Sequence, residues 1–316
     1  MKLFEFEKYF PNEESCKAKF REIREKQGIV CPKCGCTKHY WKTSKEMYQC
    51  AKCGHRQSLK AHTVMHSSKL PFRYWFIAMH LLTSTKKSFS AAELQRQLDH
   101  TCYQPIWEML HKLRSIMGKR DDKYTLCGNI ELDEGFFTTE IPEEQKEEKL
   151  KAGAGSQRQT KVAVMAETKE SLSPKKGQKP TKVSYIKMIV VEDLKADTIG
   201  AVAGNNIESE SKIISDASKS HTHFKKLFSE HQSQVINPKD IGKVLPWVHI
   251  AIGNSKSLFR NIHHSISPEY LQGYLNEFCY KFNRRYFGEN LFDRLVMISS
   301  SYKSDFEHRI YNKNIA

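Results

Sequence analysis

Residues 31–34, Cys-Pro-Lys-Cys, and residues 50–53, Cys-Ala-Lys-Cys, decide the fold expected for the N-terminal part of the chain. Fifteen residues separate the two pairs, a spacing typical of four thiolates that bind one structural Zn²⁺ tetrahedrally. A glycine follows each pair, at Gly35 and Gly54, and favours a tight turn beneath the metal. The sequence therefore predicts a zinc ribbon whose ligands are Cys31, Cys34, Cys50 and Cys53.

The composition indicates an intracellular protein with a polyanionic partner. The 316 residues include 51 Lys and Arg against 36 Asp and Glu, a formal net charge of +15. This excess favours nucleic acid, since neutralising phosphates releases counterions. The longest apolar run, residues 74–82, is too short to span a bilayer, and the N-terminus lacks the apolar segment of a signal peptide. We expect a cytoplasmic protein with no membrane partner. In such a compartment cysteines stay reduced, so disulfide bonds are the less favoured alternative to zinc binding.

Apolar patterns divide the chain into five parts. In the helical module, residues 61–124, one helical pattern begins at Ser90 as N-cap, with Glu93 three residues later. A short helix, a turn and a longer helix are typical of a helix-turn-helix module, although any three-helix bundle gives the same pattern. The five parts are a helical lead (1–27), the zinc ribbon (28–60), the helical module (61–124), an α/β domain (125–290) and a C-terminal tail (291–316).

Basic side chains in the ribbon and the helical module are candidates for contacts with DNA phosphates. Lys33, Lys52 and Arg56 make the ribbon basic, and Lys112 and Arg114 lie on the last helix of the module. A ribbon and a helix-turn-helix module both suit the same polyanionic partner, which favours DNA binding. A ribbon that binds protein or only stabilises the fold is the alternative.

From residue 125 onward, the pattern predicts an α/β domain with a mixed five-stranded sheet. The strand candidates are residues 128–133, 161–166, 183–191, 211–216 and 247–250. Helices are predicted at 194–203, at 219–228 and after Pro268, and mobile polar surface loops at 138–159 and 169–181.

Two aspartates end strands of similar pattern, Ile-Glu-Leu-Asp at Asp133 and Ile-Ile-Ser-Asp at Asp216. A carboxylate at the end of a buried strand is costly unless it is paired or bound to a cation. Two of them on neighbouring strands can supply the oxygen ligands of Mg²⁺, and paired Mg²⁺ ions catalyse phosphodiester chemistry. The alternative is that each aspartate caps the segment after it. By strand alternation, Glu131 shares the face of Asp133, whereas Glu134 points away.

The motifs occur in one order along nearly the whole chain. The cysteine pairs, the helical module and the strand that ends at Asp133 are followed by Ser-Asp-Ala-Ser-Lys-Ser-His (215–221), Trp-Val-His-Ile-Ala-Ile-Gly-Asn-Ser-Lys (247–256) and Tyr-Leu-Asn-Glu-Phe-Cys-Tyr-Lys-Phe-Asn-Arg-Arg (274–285). In this order the chain resembles bacterial insertion-sequence transposases that join an N-terminal zinc ribbon to a ribonuclease H-like, integrase-type DDE core.

The resemblance implies which residues form a catalytic site. Its two aspartates match Asp133 and Asp216. At the third position this chain has no acid, and Asn254 with Lys256 two residues later resembles the Asp-Asp-Asn-Lys variant of the family. Asn254 would be a weak Mg²⁺ ligand or a helix N-cap, and Lys256 would bind a phosphate or stabilise developing negative charge. His249, on the predicted fifth strand, would contact DNA or pack as a hydrogen-bonded side chain.

The family also implies a function. It predicts a DNA transposase that binds terminal inverted repeats and uses Mg²⁺, or Mn²⁺ in its place, for strand cleavage and transfer to target DNA. It implies a homo-oligomer, at least a dimer, on paired DNA ends. Arg284 and Arg285 would contact phosphates or else end a solvated helix. Two alternatives are a domesticated DNA-binding regulator without catalysis and a general nuclease with a ribonuclease H-like core.

Overall fold

The chain folds as two units, one made of Met1–Arg120 with Tyr286–Ala316 and the other of Asp121–Arg285. The computed structural model describes residues 1–172, 179–235 and 244–306. Within those residues, no helix is both long enough and apolar enough to cross a membrane.

The first unit contains the ribbon and most of the N-terminal helices. Its ribbon is a three-stranded antiparallel sheet in the order β1-β2-β3. The elements are α1 (Leu3–Tyr9), α2 (Glu13–Gln27), β1 (His39–Lys42), β2 (Met47–Cys50), β3 (Arg56–Ser58), α3 (Phe72–Ser84), α4 (Ala91–Gln97) and α5 (Tyr103–Asp121).

Helix α2 holds the ribbon in place. It begins where Asn12 caps it, with Oδ1 of Asn12 accepting the N–H of Ser15 at 3.0 Å. Near its other end, the buried guanidinium of Arg24 donates to the carbonyl of Leu59, just after β3, at 2.6 Å. The guanidinium of Arg21 lies 4.4 Å from the centre of the Trp41 ring on β1. The segment predicted as a helical lead is therefore helical, and its second helix also stabilises the ribbon.

The helical module begins and turns where the sequence predicts. The hydroxyl of Ser90 accepts the N–H of Glu93 at 3.1 Å and so caps α4. Asp99, in the turn before α5, has a φ of 47°, a backbone conformation that ends a helix. The assignment of α3–α5 to a DNA-binding helix-turn-helix stays a prediction.

The segment predicted as a C-terminal tail is instead largely a helix, Asn290–Ser301. Its apolar side chains are buried in the first unit, where Phe292 joins a ring cluster with Phe6, Phe10 and Phe76. The prediction was wrong because the apolar side chains of this helix pack against aromatic residues more than 200 positions earlier in the chain, which no local pattern shows. Residues 307–316 lie outside the described part of the chain.

The second unit has a mixed five-stranded sheet in the order β6-β5-β4-β7-β8. Strands β4, β5 and β6 are antiparallel neighbours, while β4, β7 and β8 are parallel. The elements are β4 (Asn129–Thr138), β5 (Gln159–Glu170), β6 (Thr181–Val191), α6 (Ala196–Asn206), β7 (Lys212–Asp216), α7 (Phe224–Leu227), β8 (Glu230–Gln234), α8 (Pro246–Ile262) and α9 (Pro268–Asn283). Antiparallel strands followed by parallel strands linked through helices form the ribonuclease H-like core that the family resemblance implies.

The fifth strand was predicted in the wrong place. Residues 247–250 form the first turn of α8, whose buried positions Val248, Ala251, Ile252 and Ser255 follow a helical period. The fifth strand is β8, with the sequence Glu-His-Gln-Ser-Gln at the edge of the sheet. A polar edge strand shows no alternation of apolar residues, so the pattern could not reveal it.

The two polar insertions differ in how much the structure describes. Residues 139–158 connect β4 to β5 irregularly, with two short 3₁₀ turns at Glu143–Gln145 and Gly153–Gly155. The predicted loop at 169–181 is shorter than expected, because its ends belong to β5 and β6. Its middle, residues 173–178, lies outside the described residues, and the mobility predicted for both loops stays a prediction.

Helix α8 is fixed along β4 by two contacts. Oε2 of Glu131 accepts the backbone N–H groups of Trp247 and Val248 at 2.7 and 3.1 Å, so a strand carboxylate caps the helix N-terminus. Four residues along the strand, Gly135 leaves room for Ile252, since a Cβ at Gly135 would lie 3.3 Å from Cγ1 of Ile252. The helix therefore lies close against the strand that carries Asp133.

We predict that Glu131→Ala loosens the first turn of α8. The N–H groups of Trp247 and Val248 would lose their acceptor, at a cost of about 1–3 kcal/mol. Hydrogen exchange at these two amides should speed up correspondingly, measured by mass spectrometry on peptides from this turn. Glu131→Gln is the matched control, because both bonds go to one oxygen that the amide retains. Equal exchange in Glu131→Ala and the unsubstituted protein would contradict the role of this cap.

Candidate functional site

The four paired cysteines meet at one point of the ribbon. Their Sγ atoms all lie within 4.8 Å of one another, with Cys31 to Cys53 at 3.6 Å and Cys34 to Cys50 at 3.5 Å. A tetrahedral Zn²⁺ with bonds of about 2.3 Å separates its sulfur ligands by about 3.8 Å. The cluster therefore fits one Zn²⁺ with four thiolate ligands.

The turns that carry the cysteines depend on glycine. Gly35 and Gly54 have φ values of 71° and 69°, in the left-handed region that glycine favours. Each donates its N–H to the carbonyl of the first cysteine of its pair, Cys31 or Cys50. Cys36 points elsewhere, since its Sγ lies 3.7 Å from the carbonyl of Lys38. It is not part of the four-sulfur cluster.

The two aspartates predicted at strand ends lie side by side in the second unit. Strands β4 and β7 are parallel and pair Leu132 with Ser215. The next residue on each strand is Asp133 and Asp216, so the register sets both carboxylates just beyond the paired stretch and on the same face of the sheet. Asp216 ends β7 as predicted, whereas the prediction that Asp133 ends its strand was wrong, because β4 continues to Thr138 along β5.

The Asp133 carboxylate lies in a confined environment. Its Oδ1 accepts the N–H of Glu134 at 2.8 Å, and its Oδ2 lies 3.4 Å from Nε2 of His249. Burial raises the pKa of Asp133 to about 6, and the negative charges of Asp216 and Glu134 add to the rise. A buried carboxylate that is hard to ionise is a natural ligand for a cation, which would remove the cost of its charge.

The Asp216 carboxylate is held by an ion cluster on its other side. Nδ1 of His221 lies 3.0 Å from Oδ1 of Asp216, and Nε2 lies 3.0 Å from Oε1 of Glu134. The hydroxyl of Ser220 also donates to Glu134, at 2.7 Å. Burial alone would lower the pKa of His221, but the hydrogen bonds to the two carboxylates raise it to about 10. The imidazolium lowers the pKa of Asp216 through its hydrogen bond.

Among the described residues of this unit, one group of three side chains has its ligand atoms close enough together to hold a metal. Glu134, Asp216 and His221 have ligand atoms within 4.8 Å of one another. However, both nitrogens of His221 face carboxylates, so this group is satisfied as a charged hydrogen-bond network. Asp133 and the free side of Asp216 present oxygens with no cation partner among the described residues, other than the neighbouring imidazoles. Carboxylate oxygens of this kind are the ligands that Mg²⁺ prefers.

Alternation along β4 follows the prediction. Glu131 and Asp133 both face α8, and Glu134 points to the opposite side. Sequence analysis assigned Glu134 no role, yet it is joined to Asp216 through His221. Only the sequence Ser-Lys-Ser-His after Asp216 could have suggested a histidine that returns to this carboxylate.

The other predicted catalytic residues lie on α8, although not as the pattern suggested. His249 is in the first turn of the helix, not on a strand. Asn254 is in the middle of α8 and exposed, so it is not an N-cap. Lys256 is half-buried, with Nζ 5.6 Å from the centre of the Phe137 ring, and burial lowers its pKa. Asp133 and His249 are brought together, whereas the structure records no contact between Asn254 and either aspartate.

The predicted DNA-contacting residues separate into exposed and internal groups. Lys33, Lys52 and Arg56 are exposed on the ribbon. Lys112 is half-buried and donates to the carbonyl of His66 at 3.3 Å. Three other arginines, Arg114, Arg284 and Arg285, have internal partners and are not assigned to DNA. Arg114 is buried beside His111, and Arg284 is paired with Asp121 at 2.6 Å. Arg285 donates to the carbonyls of Val183, Ser184 and Phe282.

Comparison with protein families identifies this arrangement. A family model described as the ISXO2-like transposase domain matches residues 125–283, just over half of the chain. The chain belongs to this transposase family. A second model, described as the transposase zinc-ribbon domain, matches residues 11–56, which include the four-cysteine cluster. The family resemblance found in the sequence is therefore confirmed, and so is the zinc ribbon.

The chain was also compared with solved structures and with curated proteins. Among solved structures, the transposase is similar to a chain in the crystal structure of a pre-cleavage Mos1 transpososome, with 13% identity and a TM-score of 0.26. The match covers 77% of this chain and 82% of that chain. A search of curated proteins finds no match. The family assignment rests on the two family models.

We predict that the purified transposase contains one Zn²⁺ per chain. Cys50→Ala should reduce the zinc content measured by inductively coupled plasma mass spectrometry to near zero, because removing one of four thiolates opens the site. Cys36→Ala is the matched control and should keep the zinc, since this thiol lies outside the cluster. Zinc lost equally from both variants, or retained in both, would contradict the assigned ligand set.

Proposed function

We propose that this transposase cuts DNA at the ends of an insertion sequence and joins the freed 3′ ends to target DNA, with Mg²⁺ held by Asp133 and Asp216. The observation that carries the proposal is the β4–β7 register, which sets these two carboxylates at one edge of a parallel strand pair. The family match supports the reaction class. Mn²⁺ would substitute for Mg²⁺, because it accepts the same oxygen ligands.

Each side chain near the two aspartates has a distinct part in this proposal. When bound, Mg²⁺ would polarise the scissile phosphate and favour ionisation of the attacking water or 3′-hydroxyl. The His221 imidazolium, joined to Glu134, fixes the orientation of Asp216. The ammonium of Lys256, on the same helix as His249, supplies positive charge toward a phosphate. Removing Glu134 or His221 would therefore loosen Asp216 rather than remove a metal ligand.

DNA binding is the second part of the proposal. A net charge of +15 supplies affinity for phosphates that does not depend on sequence. Lys33, Lys52 and Arg56 are exposed on the ribbon and free to contact a DNA backbone, with α3–α5 as the candidate for reading the inverted repeats. We further propose that at least two copies act on paired ends, as expected of this family.

We predict that Asp133→Asn and Asp216→Asn abolish chemistry but not binding. An amide is a weaker ligand than a carboxylate, and the loss should slow cleavage by on the order of 10³-fold. The assay uses a DNA fragment carrying the sequences that flank this gene, with Mg²⁺ or Mn²⁺, and scores cut ends and joined products on gels. Electrophoretic mobility shift with the same fragment measures binding.

Asp197→Asn is the matched control, since this exposed aspartate on α6 makes the same change of charge in the same domain and is paired with His223, outside the Asp133–Asp216 pair. It should cut normally. Specific binding by the unsubstituted protein with no cleavage in either metal would contradict the proposal and favour the DNA-binding regulator. Cleavage that ignores the matched ends would favour a general nuclease.

A further inference from the structure

We propose that the outer face of the ribbon sheet recognises base pairs at the element's ends, in the major groove of duplex DNA. The outer face is the side of β1–β3 that does not pack on α2. The inference rests on the proposed function, and it assigns sequence recognition to a part of the chain so far assigned only phosphate contacts. The outer face consists of Tyr40, Lys42, Met47, Gln49, Arg56 and Ser58.

The inner face of the ribbon sheet is covered by α2. Trp41 and Tyr48 lie side by side on this face, with ring centres 4.8 Å apart. The guanidinium of Arg21 lies over the first ring, and that of Arg24 over the second. Because side chains alternate along a strand, Tyr40 points the other way and is 54% exposed, against 2% for Tyr48. The outer face is therefore open to a partner.

The strand register aligns three side chains across the outer face. Tyr40 pairs with Gln49, and Gln49 pairs with Arg56, so the three form one row. With neighbouring strands about 4.8 Å apart, this row spans about 10 Å. The major groove of B-DNA is about 12 Å wide and admits antiparallel strands. The row therefore matches the groove in width.

Two members of the row have side chains that distinguish bases. An arginine guanidinium can donate two hydrogen bonds to guanine, and a glutamine amide can donate one and accept one with adenine. The side chains of Gln49 and Arg56 have no hydrogen-bond or ion-pair partner among the described residues. Both groups are therefore available to base edges. Tyr40, at the β1 end of the row, would donate its hydroxyl to a phosphate at the rim of the groove.

The charge of the ribbon favours DNA as the partner. Residues 28–60 contain seven Lys and Arg and one acid, Glu46. This acid is already paired with Lys17 of α2 at 3.0 Å. The outer face itself has two cations, Lys42 and Arg56, and no acid. Its charge attracts the phosphates that border a groove, and the row places base-recognising groups between them.

The inference separates the basic side chains of the ribbon by role. Lys52 lies in the turn between Cys50 and Cys53, at the end of β2, and Lys33 lies in the corresponding turn of the other cysteine pair. Both lysines are outside the outer face and would contact phosphates only, whereas Arg56 would contact a base. The ribbon would then supply sequence specificity in addition to any that α3–α5 supply.

The test measures binding of the full-length, zinc-loaded protein to DNA fragments from the sequences that flank this gene, with each base pair replaced in turn. Gln49→Ala and Arg56→Ala should each lose discrimination at one or two base pairs, by about 5- to 150-fold, and keep it at the others.

Lys52→Ala is the matched control, since it removes an exposed basic side chain of the same ribbon. It should weaken binding to all fragments about equally and reduce the salt dependence by about one phosphate contact. Zinc content is measured in every variant, and one Zn²⁺ per chain shows that the ribbon is still folded.

The possible outcomes separate this inference from the proposed function. Uniform weakening by Gln49→Ala and Arg56→Ala, like that of Lys52→Ala, would overturn base recognition by the outer face. Discrimination that neither substitution changes would overturn it too, and would leave the proposed function standing. Unchanged discrimination together with a changed subunit number without DNA, measured by light scattering, would assign the face to a protein partner instead. No preference of the unsubstituted protein for the matched ends over unrelated DNA would overturn the end recognition in the proposed function, and this inference with it.

Discussion

The hydrogen bonds from the first turn of α8 to the Glu131 carboxylate are the constraint on which the site depends. A helix N-terminus leaves N–H groups without partners, and here a strand residue supplies the acceptor. Because Glu131 and Asp133 lie on the same face of β4, the cap also sets the distance of α8 from the Asp133 carboxylate. The glycine at position 135 allows the helix to continue along the strand. This cap therefore helps to fix the positions of His249 and Lys256 relative to the sheet.

The same small region must also tolerate several acids. Asp133, Glu134 and Asp216 occur within a few residues of one sheet edge, and their mutual repulsion would destabilise the fold if nothing opposed it. The His221 imidazolium opposes the charges of Glu134 and Asp216. Asp133, which points to the face of β4 opposite Glu134, lies beside His249. The unbalanced charge is thus confined to the place where a metal and a DNA phosphate would meet.

Sequence patterns predicted the parts of this fold that depend on local signals. The cysteine spacing predicted the ribbon, Ser90 marked a helix start, and four of the five strands alternate or are continuously apolar. The edge strand β8 is polar on both faces, so no periodicity marks it, and the short segment at 247–250 suits a strand as well as a helix turn. The phase of α8 relative to β4 is a tertiary property, so the family resemblance that implied Asn254 could not show that His249 is the residue of this helix beside Asp133. The Glu134–His221–Asp216 cluster joins residues more than 80 positions apart and was missed for the same reason.

The most direct test of this account is a crystal structure of the protein with Mn²⁺, located by its anomalous scattering. A peak is expected beside the carboxyl end of β7 and the middle of β4, within coordination distance of Asp133 and Asp216. A peak between Glu134, Asp216 and His221 would contradict this assignment of the site.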